Sequence, residues 1–207
     1  MSASARIDSV MQRAPVIPVL VIEEVAHAVP IARALVAGGL PVLEVTLRTA
    51  VALEVIRAMK QVPGAIVGAG TVLNSGELDR ALAAGAEFIV SPGLTPVLGK
   101  AAVDAEVPFL PGTANASDIM AGLDLGLDRF KFFPAAAAGG IPALKALAAP
   151  FGMARFCPTG GITQDSAADW LALDAVLCVG GSWLVPKGKP DEAAIEAAAR
   201  AASAFSR

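Results

Sequence analysis

The stretch Val16-Ile17-Pro18-Val19-Leu20-Val21-Ile22-Glu23-Glu24 decides between two folds. Val16–Val21 reads as the first β-strand, apolar and rich in β-branched residues. An open doubly wound sheet would carry a glycine-rich phosphate fingerprint directly after that strand. Here the strand runs into Val21-Ile22-Glu23-Glu24, with no glycine. That favours the other α/β solution, a barrel of parallel strands, over the open sheet.

Outward from this stretch, short β-rich runs alternate with Ala-rich helical runs. Further strands are expected near Val42–Thr46, Ala65–Ala69, Phe88–Ser91, Pro108–Leu110, Arg129–Phe133, Arg155–Cys157 and Ala175–Val179. Helices are expected near Glu24–Ala37, Ala50–Gln61, Ser75–Ala84, Pro96–Ala105, Ser117–Leu125, Ile141–Ala148, Gln164–Leu171 and Asp191–Ala202. Such alternation argues for βαβ units and a parallel sheet. Three helix-to-strand joints, Ala37-Gly38-Gly39, Ala84-Gly85-Ala86 and Leu125-Gly126-Leu127, place glycine where a left-handed helix cap is wanted. Strand ends recur roughly every 19 to 25 residues, giving about eight units, the number that closes a (β/α)8 TIM barrel. The leading segment Ala3–Gln12 is expected to add an N-terminal helix over the barrel bottom. No linker or low-complexity tract divides the chain, so residues 1–207 are expected to form a single domain.

Composition narrows the function. The chain has 207 residues, 55% of them hydrophobic, with a mean hydropathy of +0.63, which suits one well-buried domain. A net charge of -3 without blocks of like charge makes nucleic acid and anionic membrane poor partners. Every long apolar run is broken, as by Glu44 and Lys145, before the roughly 18 residues that a membrane span needs. Met1 to Arg13 lacks the apolar core of a signal peptide. Cys157 and Cys178 sit in apolar runs and read as buried thiols rather than a disulfide or a metal pair. His27 is the single histidine, which leaves a zinc site or a Ser-His-Asp triad little to build on. The expectation is a soluble cytoplasmic protein.

Chemistry concentrates on Arg129-Phe130-Lys131-Phe132-Phe133-Pro134, a short strand with a lysine at its centre. Lysine is rarely buried without a partner or a task. An ammonium in an apolar wall tends to lose its proton, and the neutral amine is a maker of Schiff bases with carbonyl substrates. In a (β/α)8 barrel the active site lies at the C-terminal strand ends. Those ends carry Glu44 to Arg48, Gly70-Thr71, Ser91-Pro92-Gly93, Pro111-Gly112-Thr113, Lys131, Thr159-Gly160-Gly161 and Gly180-Gly181-Ser182. Side chains alternate along a strand, so Glu44 shares a face with Val42 and Thr46, and Lys131 with Arg129 and Phe133. If both faces point inward, Glu44 and Lys131 converge. The pair is then either an inert buried ion pair or a catalytic one; since such pairs add little stability, the catalytic reading is favoured. The glycines after the last two strands, with Thr159 and Ser182, suit a phosphate, because backbone N–H groups must come close to the anion. Glycine pairs also serve ordinary tight turns.

Six segments together resemble one known family. They are Leu43-Glu44-Val45-Thr46-Leu47-Arg48-Thr49, Val67-Gly68-Ala69-Gly70-Thr71-Val72, Ser91-Pro92-Gly93-Leu94-Thr95, Phe130-Lys131-Phe132-Phe133-Pro134, Arg155 to Ile162 and Cys178 to Leu184. Their order and wording resemble the class I aldolases for 2-keto-3-deoxy-6-phosphogluconate (KDPG) and 4-hydroxy-2-oxoglutarate (KHG), over about Val16 to Pro186. The resemblance implies a (β/α)8 barrel, a homotrimer, no metal, no cofactor, and a phosphorylated 2-keto acid substrate from the Entner–Doudoroff pathway. It implies Lys131 as the Schiff-base lysine and Glu44 as the general acid/base. By the same likeness Arg48 and Thr71 hold the substrate carboxylate, and Gly160, Gly161, Gly181 and Ser182 hold the phosphate with Thr159 nearby. Pro92 and Phe133 would line the pocket. The chain departs from the family in two places: Ala135-Ala136-Ala137-Ala138-Gly139-Gly140 stands where a Glu is usual, and Thr113-Ala114 replaces a more polar pair. Two other classes compete: a phosphosugar isomerase using Lys131 and Glu44 without a covalent bond, and a non-catalytic binder of phosphorylated metabolites.

Overall fold

The computed structural model describes residues 3–206. Its strands are β1 (Val16–Leu20), β2 (Val42–Thr46), β3 (Ile66–Gly70), β4 (Ile89–Val90), β5 (Phe109–Leu110), β6 (Gly112–Thr113), β7 (Arg129–Phe132), β8 (Arg155–Pro158) and β9 (Val179–Gly181). All their pairings are parallel. One curled sheet runs in the order β5-β4-β3-β2-β1-β9, and a second runs β6-β7-β8. Single parallel bridges, Phe156 to Val176 and Thr159 to Gly180, join β8 to the segment that becomes β9.

Helices fill the connections: α2 (Ala28–Ala37), α3 (Ala52–Met59), α4 (Ser75–Ala83), α5 (Pro96–Asp104), α6 (Ala116–Asp124), α7 (Gly140–Ala148), α8 (Gln164–Leu171) and α9 (Glu192–Ser203). Polar side chains start several of them. Asn74, Thr95, Asn115, Thr163 and Asp191 each accept a backbone N–H from the first turn, satisfying donors that a helix start leaves open. The expected glycine caps are present: Gly39, Gly85 and Gly126 have φ of 92°, 94° and 74°. Each lets the next N–H reach back to the helix, as Leu40 N does to Leu35 O at 2.9 Å.

Two expected strands differ from the outcome. The fifth, expected over Pro108–Leu110, is followed by a further short strand, β6; Pro111 between them has no N–H to give the ladder but offers its carbonyl to Lys131 N at 2.8 Å. The last is shifted from Ala175–Val179 to Val179–Gly181, because the ladder to β1 begins where Val179 pairs with Val16. Two glycines, poor strand formers, carry that ladder since the partner strand dictates it.

The core has two parts. Most apolar side chains pack between sheet and helices. A smaller inner cluster joins Ile17, Val42, Val90, Leu110 and Cys157 from the strands, and Phe88 and Cys178 just before β4 and β9, to Ile7, Val10 and Met11. The latter three belong to α1 (Ala3–Met11), the expected extra helix. Its Asp8 pairs with Arg129 at the start of β7, and Ser4 Oγ accepts from Asp128 N at 3.1 Å. These contacts seat α1 against the N-terminal strand ends and leave the opposite ends open. Among the described residues no helix is long and apolar enough to cross a membrane.

Candidate active site

Strand alternation places the first two side chains. Val42 faces the inner cluster, so two residues on Glu44 faces the same interior, and Thr46 follows. On β7 the same period turns Lys131 inward. Both are buried: Glu44 is 3% exposed and Lys131 6%. Lys131 Nζ donates to Glu44 Oε1 at 3.1 Å. The expected convergence of β2 and β7 is therefore seen. The Phe133 ring centre lies 5.3 Å from Nζ, within cation–π reach, and walls one side.

Glycine makes room for the carboxylate. A Cβ on Gly70, at the end of β3, would stand 2.2 Å from Glu44 Oε1. Gly180 does the same on the other side, where a Cβ would fall 2.3 Å from Thr159 Oγ1. Thr159 is buried, and its hydroxyl is 3.4 Å from Cys157 O.

These groups line one cavity of about 250 Å³ at the C-terminal strand ends. Arg48, Thr71, Pro92, Phe133, Thr159, Gly160, Gly161 and Ser182 line it together with Lys131 and Glu44. Gly181 does not. Alternation turns it away from the cavity, and a Cβ there would meet the Trp183 ring at 2.3 Å. Gly180 takes its place in the wall. Val19, Thr46 and Ile162 also line the cavity and were not singled out from sequence. Val19 and Thr46 could have been found by period 2, from Ile17 and Glu44; Ile162 follows a glycine turn and has no such signal.

Two features of the mouth are conformational. Thr71 has φ 61°, a left-handed backbone that a β-branched residue rarely adopts. Hydrogen bonds from Leu47 N to Gly70 O and from Val72 N to Val90 O hold the chain on both sides of it. Strain of this kind, about 1–3 kcal/mol, gathers where a side chain must be aimed, and here Thr71 lines the cavity. The turn at Gly160 and Gly161, with φ of 102° and 76°, needs glycine for its path. Ala135 N and Ala136 N donate to the carbonyls of Thr159 and Gly160, at 2.8 and 3.0 Å, and fix that turn to the Ala135–Ala138 loop.

Arg48 is exposed at the rim. Its Nε donates to Thr46 Oγ1 at 3.2 Å, and Thr46 Oγ1 donates to Leu20 O at 2.8 Å. The arrangement thus offers a buried amine, a carboxylate in contact with it, an aromatic wall and a guanidinium at the entrance. That set suits a small anionic carbonyl compound: the amine can attack the carbonyl, the carboxylate can carry protons, and the guanidinium can bind a carboxylate through two N–H groups.

Comparison with known proteins gives a consistent result. The family model described as "Aldolase: KDPG and KHG aldolase" matches residues 7–198. A 2-dehydro-3-deoxy-phosphogluconate aldolase of Zymomonas mobilis is 67% identical over 201 residues, 97% of each chain. A KHG/KDPG aldolase of Escherichia coli is 57% identical over 180 residues, covering 86% of this chain and 84% of the relative. A crystal structure of the KDPG aldolase of Legionella pneumophila, with pyruvate captured as a covalent carbinolamine intermediate, superposes with a TM-score of 0.92 at 46% identity. That match covers 95% of this chain and 98% of the other.

Proposed function

The chain belongs to the KDPG and KHG aldolase family, and on that premise we propose how its own residues carry the reaction. It is a carbon–carbon lyase. It cleaves 2-dehydro-3-deoxy-6-phosphogluconate reversibly to pyruvate and glyceraldehyde 3-phosphate, and 4-hydroxy-2-oxoglutarate to pyruvate and glyoxylate. The observation that carries the mechanism is the 3.1 Å contact between the buried Lys131 Nζ and Glu44 Oε1 inside the cavity.

The Lys131 amine attacks the C2 ketone, and the carbinolamine loses water to give a protonated imine. Glu44 takes the proton of the C4 hydroxyl. The C3–C4 bond breaks, its electron pair moves into the imine, and the aldehyde leaves. The resulting enamine is protonated at C3, and water hydrolyses the imine to pyruvate and free lysine. Covalent catalysis here divides one hard cleavage into easier steps. Arg48 and Thr71 bind the C1 carboxylate, and Pro92 and Phe133 shape the wall beside it. Gly160, Gly161 and Ser182 receive the phosphate, with Gly181 behind them and Thr159 nearby.

The finer architecture belongs to the same proposal. The two sheets read as one closed (β/α)8 barrel, with β5 and β6 as halves of one strand and the β8–β9 bridges as the seam. Residues 1–207 read as one domain. A homotrimer in the cytoplasm, with neither metal nor cofactor, follows from the family likeness.

The phosphate assignment has its own test. Ser182→Ala removes a hydroxyl from the cavity wall without disturbing a buried side chain. The expected result is a loss of kcat/KM on the phosphorylated substrate of about 10-fold, the scale of a hydrogen bond to a charged group. Activity on 4-hydroxy-2-oxoglutarate, which has no phosphate, should stay within about 2-fold of the parent on the same reasoning. Equal losses on both substrates would place the phosphate elsewhere. Gly161 is a poorer probe, because a Cβ there would meet Ala136 Cβ at 2.6 Å and any side chain would be strained at φ 76°.

A further inference from the structure

We propose that Thr46 is a positioning residue that aims Arg48 at the substrate carboxylate; the inference rests on the proposed role of Arg48. Arginine at an exposed rim ordinarily samples many rotamers, and that freedom opposes binding. In this chain the Arg48 side chain has one hydrogen-bond partner among the described residues, the hydroxyl of Thr46. Thr46 itself is 2% exposed and does not move freely.

The direction of that bond is set. A threonine hydroxyl has one proton to donate. Thr46 spends it on Leu20 O, on the neighbouring strand, at 2.8 Å. What remains toward Arg48 is a lone pair, so Thr46 accepts from Arg48 Nε and cannot turn a proton at it. With Nε engaged, a side-on grip through Nε and one Nη is closed to the ligand. The two Nη groups remain, and they form the end-on fork that matches the two oxygens of a carboxylate.

A second hydroxyl supplies a control. Thr49 Oγ1 donates to Ile22 O at 2.8 Å, so both sides of Arg48 are tied, by the same kind of bond, to the last residue of β1 and the segment just past it. Only Thr46 also touches the guanidinium. A tether that merely holds the loop would make Thr46 and Thr49 equivalent; an aiming role makes them differ.

The test is steady-state kinetics on both keto acids, since each carries the C1 carboxylate. Thr46→Val keeps the shape and removes the hydroxyl. It should raise KM about 10-fold on both substrates, the scale of a lost hydrogen bond to a charged group, with kcat within about 3-fold. Thr46→Ser should restore the parent KM, and Thr49→Val should leave it within about 3-fold. In an Arg48→Ala background, Thr46→Val should add no further rise, because its partner is gone. Thr46→Cys, a poor acceptor of similar size, repeats the measurement if Thr46→Val does not fold. Equal effects of Thr46→Val and Thr49→Val, or full additivity with Arg48→Ala, would overturn the aiming role while Arg48 keeps its own. An Arg48→Ala enzyme with the parent KM would overturn the role of Arg48 and this one with it.

Discussion

Lys131→Arg is expected to abolish turnover, with a fall in kcat on the order of 10⁴-fold or more, as for other removed nucleophiles. Guanidinium stays protonated and does not add to ketones at neutral pH. Arginine is the informative replacement because it keeps a positive charge against Glu44, which is 3% exposed. An apolar replacement such as Lys131→Met would strand that carboxylate, at about 3–5 kcal/mol, and would confuse loss of chemistry with loss of fold. The larger side chain must still fit beside Phe133, so overpacking of about 1–3 kcal/mol is expected. At roughly 2–4 °C per kcal/mol for a chain of this size, thermal melting should show a lowered but cooperative transition. Substantial cleavage by this variant would mean that the reaction needs no covalent bond to Lys131.

Glu44→Gln should lower kcat/KM by about 10²–10⁴-fold, the usual contribution of a placed acid–base group. Glutamine fills the same space, which matters because Gly70 leaves room for a side chain of this shape and little else. It can still accept a hydrogen bond from Lys131 Nζ but cannot take up a proton. Imine formation should persist at a reduced rate. Exchange of the pyruvate methyl protons with deuterated water, followed by NMR, should slow together with cleavage, because both need a proton moved at C3. Exchange at the parent rate beside impaired cleavage would assign C3 to another group.

Much of this site could be read from spacing. Glu44 and Lys131 were brought together by period-2 alternation on two strands, and the structure finds them 3.1 Å apart. The helices expected from Ser75, Pro96 and Gln164 start at those residues, each behind a capping side chain that is local in sequence, Asn74, Thr95 or Thr163. What escaped depended on neighbours. The last strand shifted to Val179–Gly181 because β1 set its register, and with that register Gly180 rather than Gly181 entered the cavity wall. Thr46 could be placed on the face of Glu44 but not given a task, since its bond to Leu20 O crosses 26 residues of chain. The left-handed backbone of Thr71 had no signal, because threonine is a residue that ordinarily avoids it. Alternation within a strand was legible, and the hydrogen-bonded register between neighbouring strands was not.

The covalent role of Lys131 is tested most directly by borohydride reduction of the enzyme in the presence of pyruvate, followed by peptide mass spectrometry. The other lysines, Lys60, Lys100, Lys145, Lys187 and Lys189, are exposed and lie outside the cavity. The expected result is one reduced pyruvate adduct per chain, on the peptide that contains Lys131, and none in Lys131→Arg. An adduct on any other lysine, or no adduct at all, would contradict it.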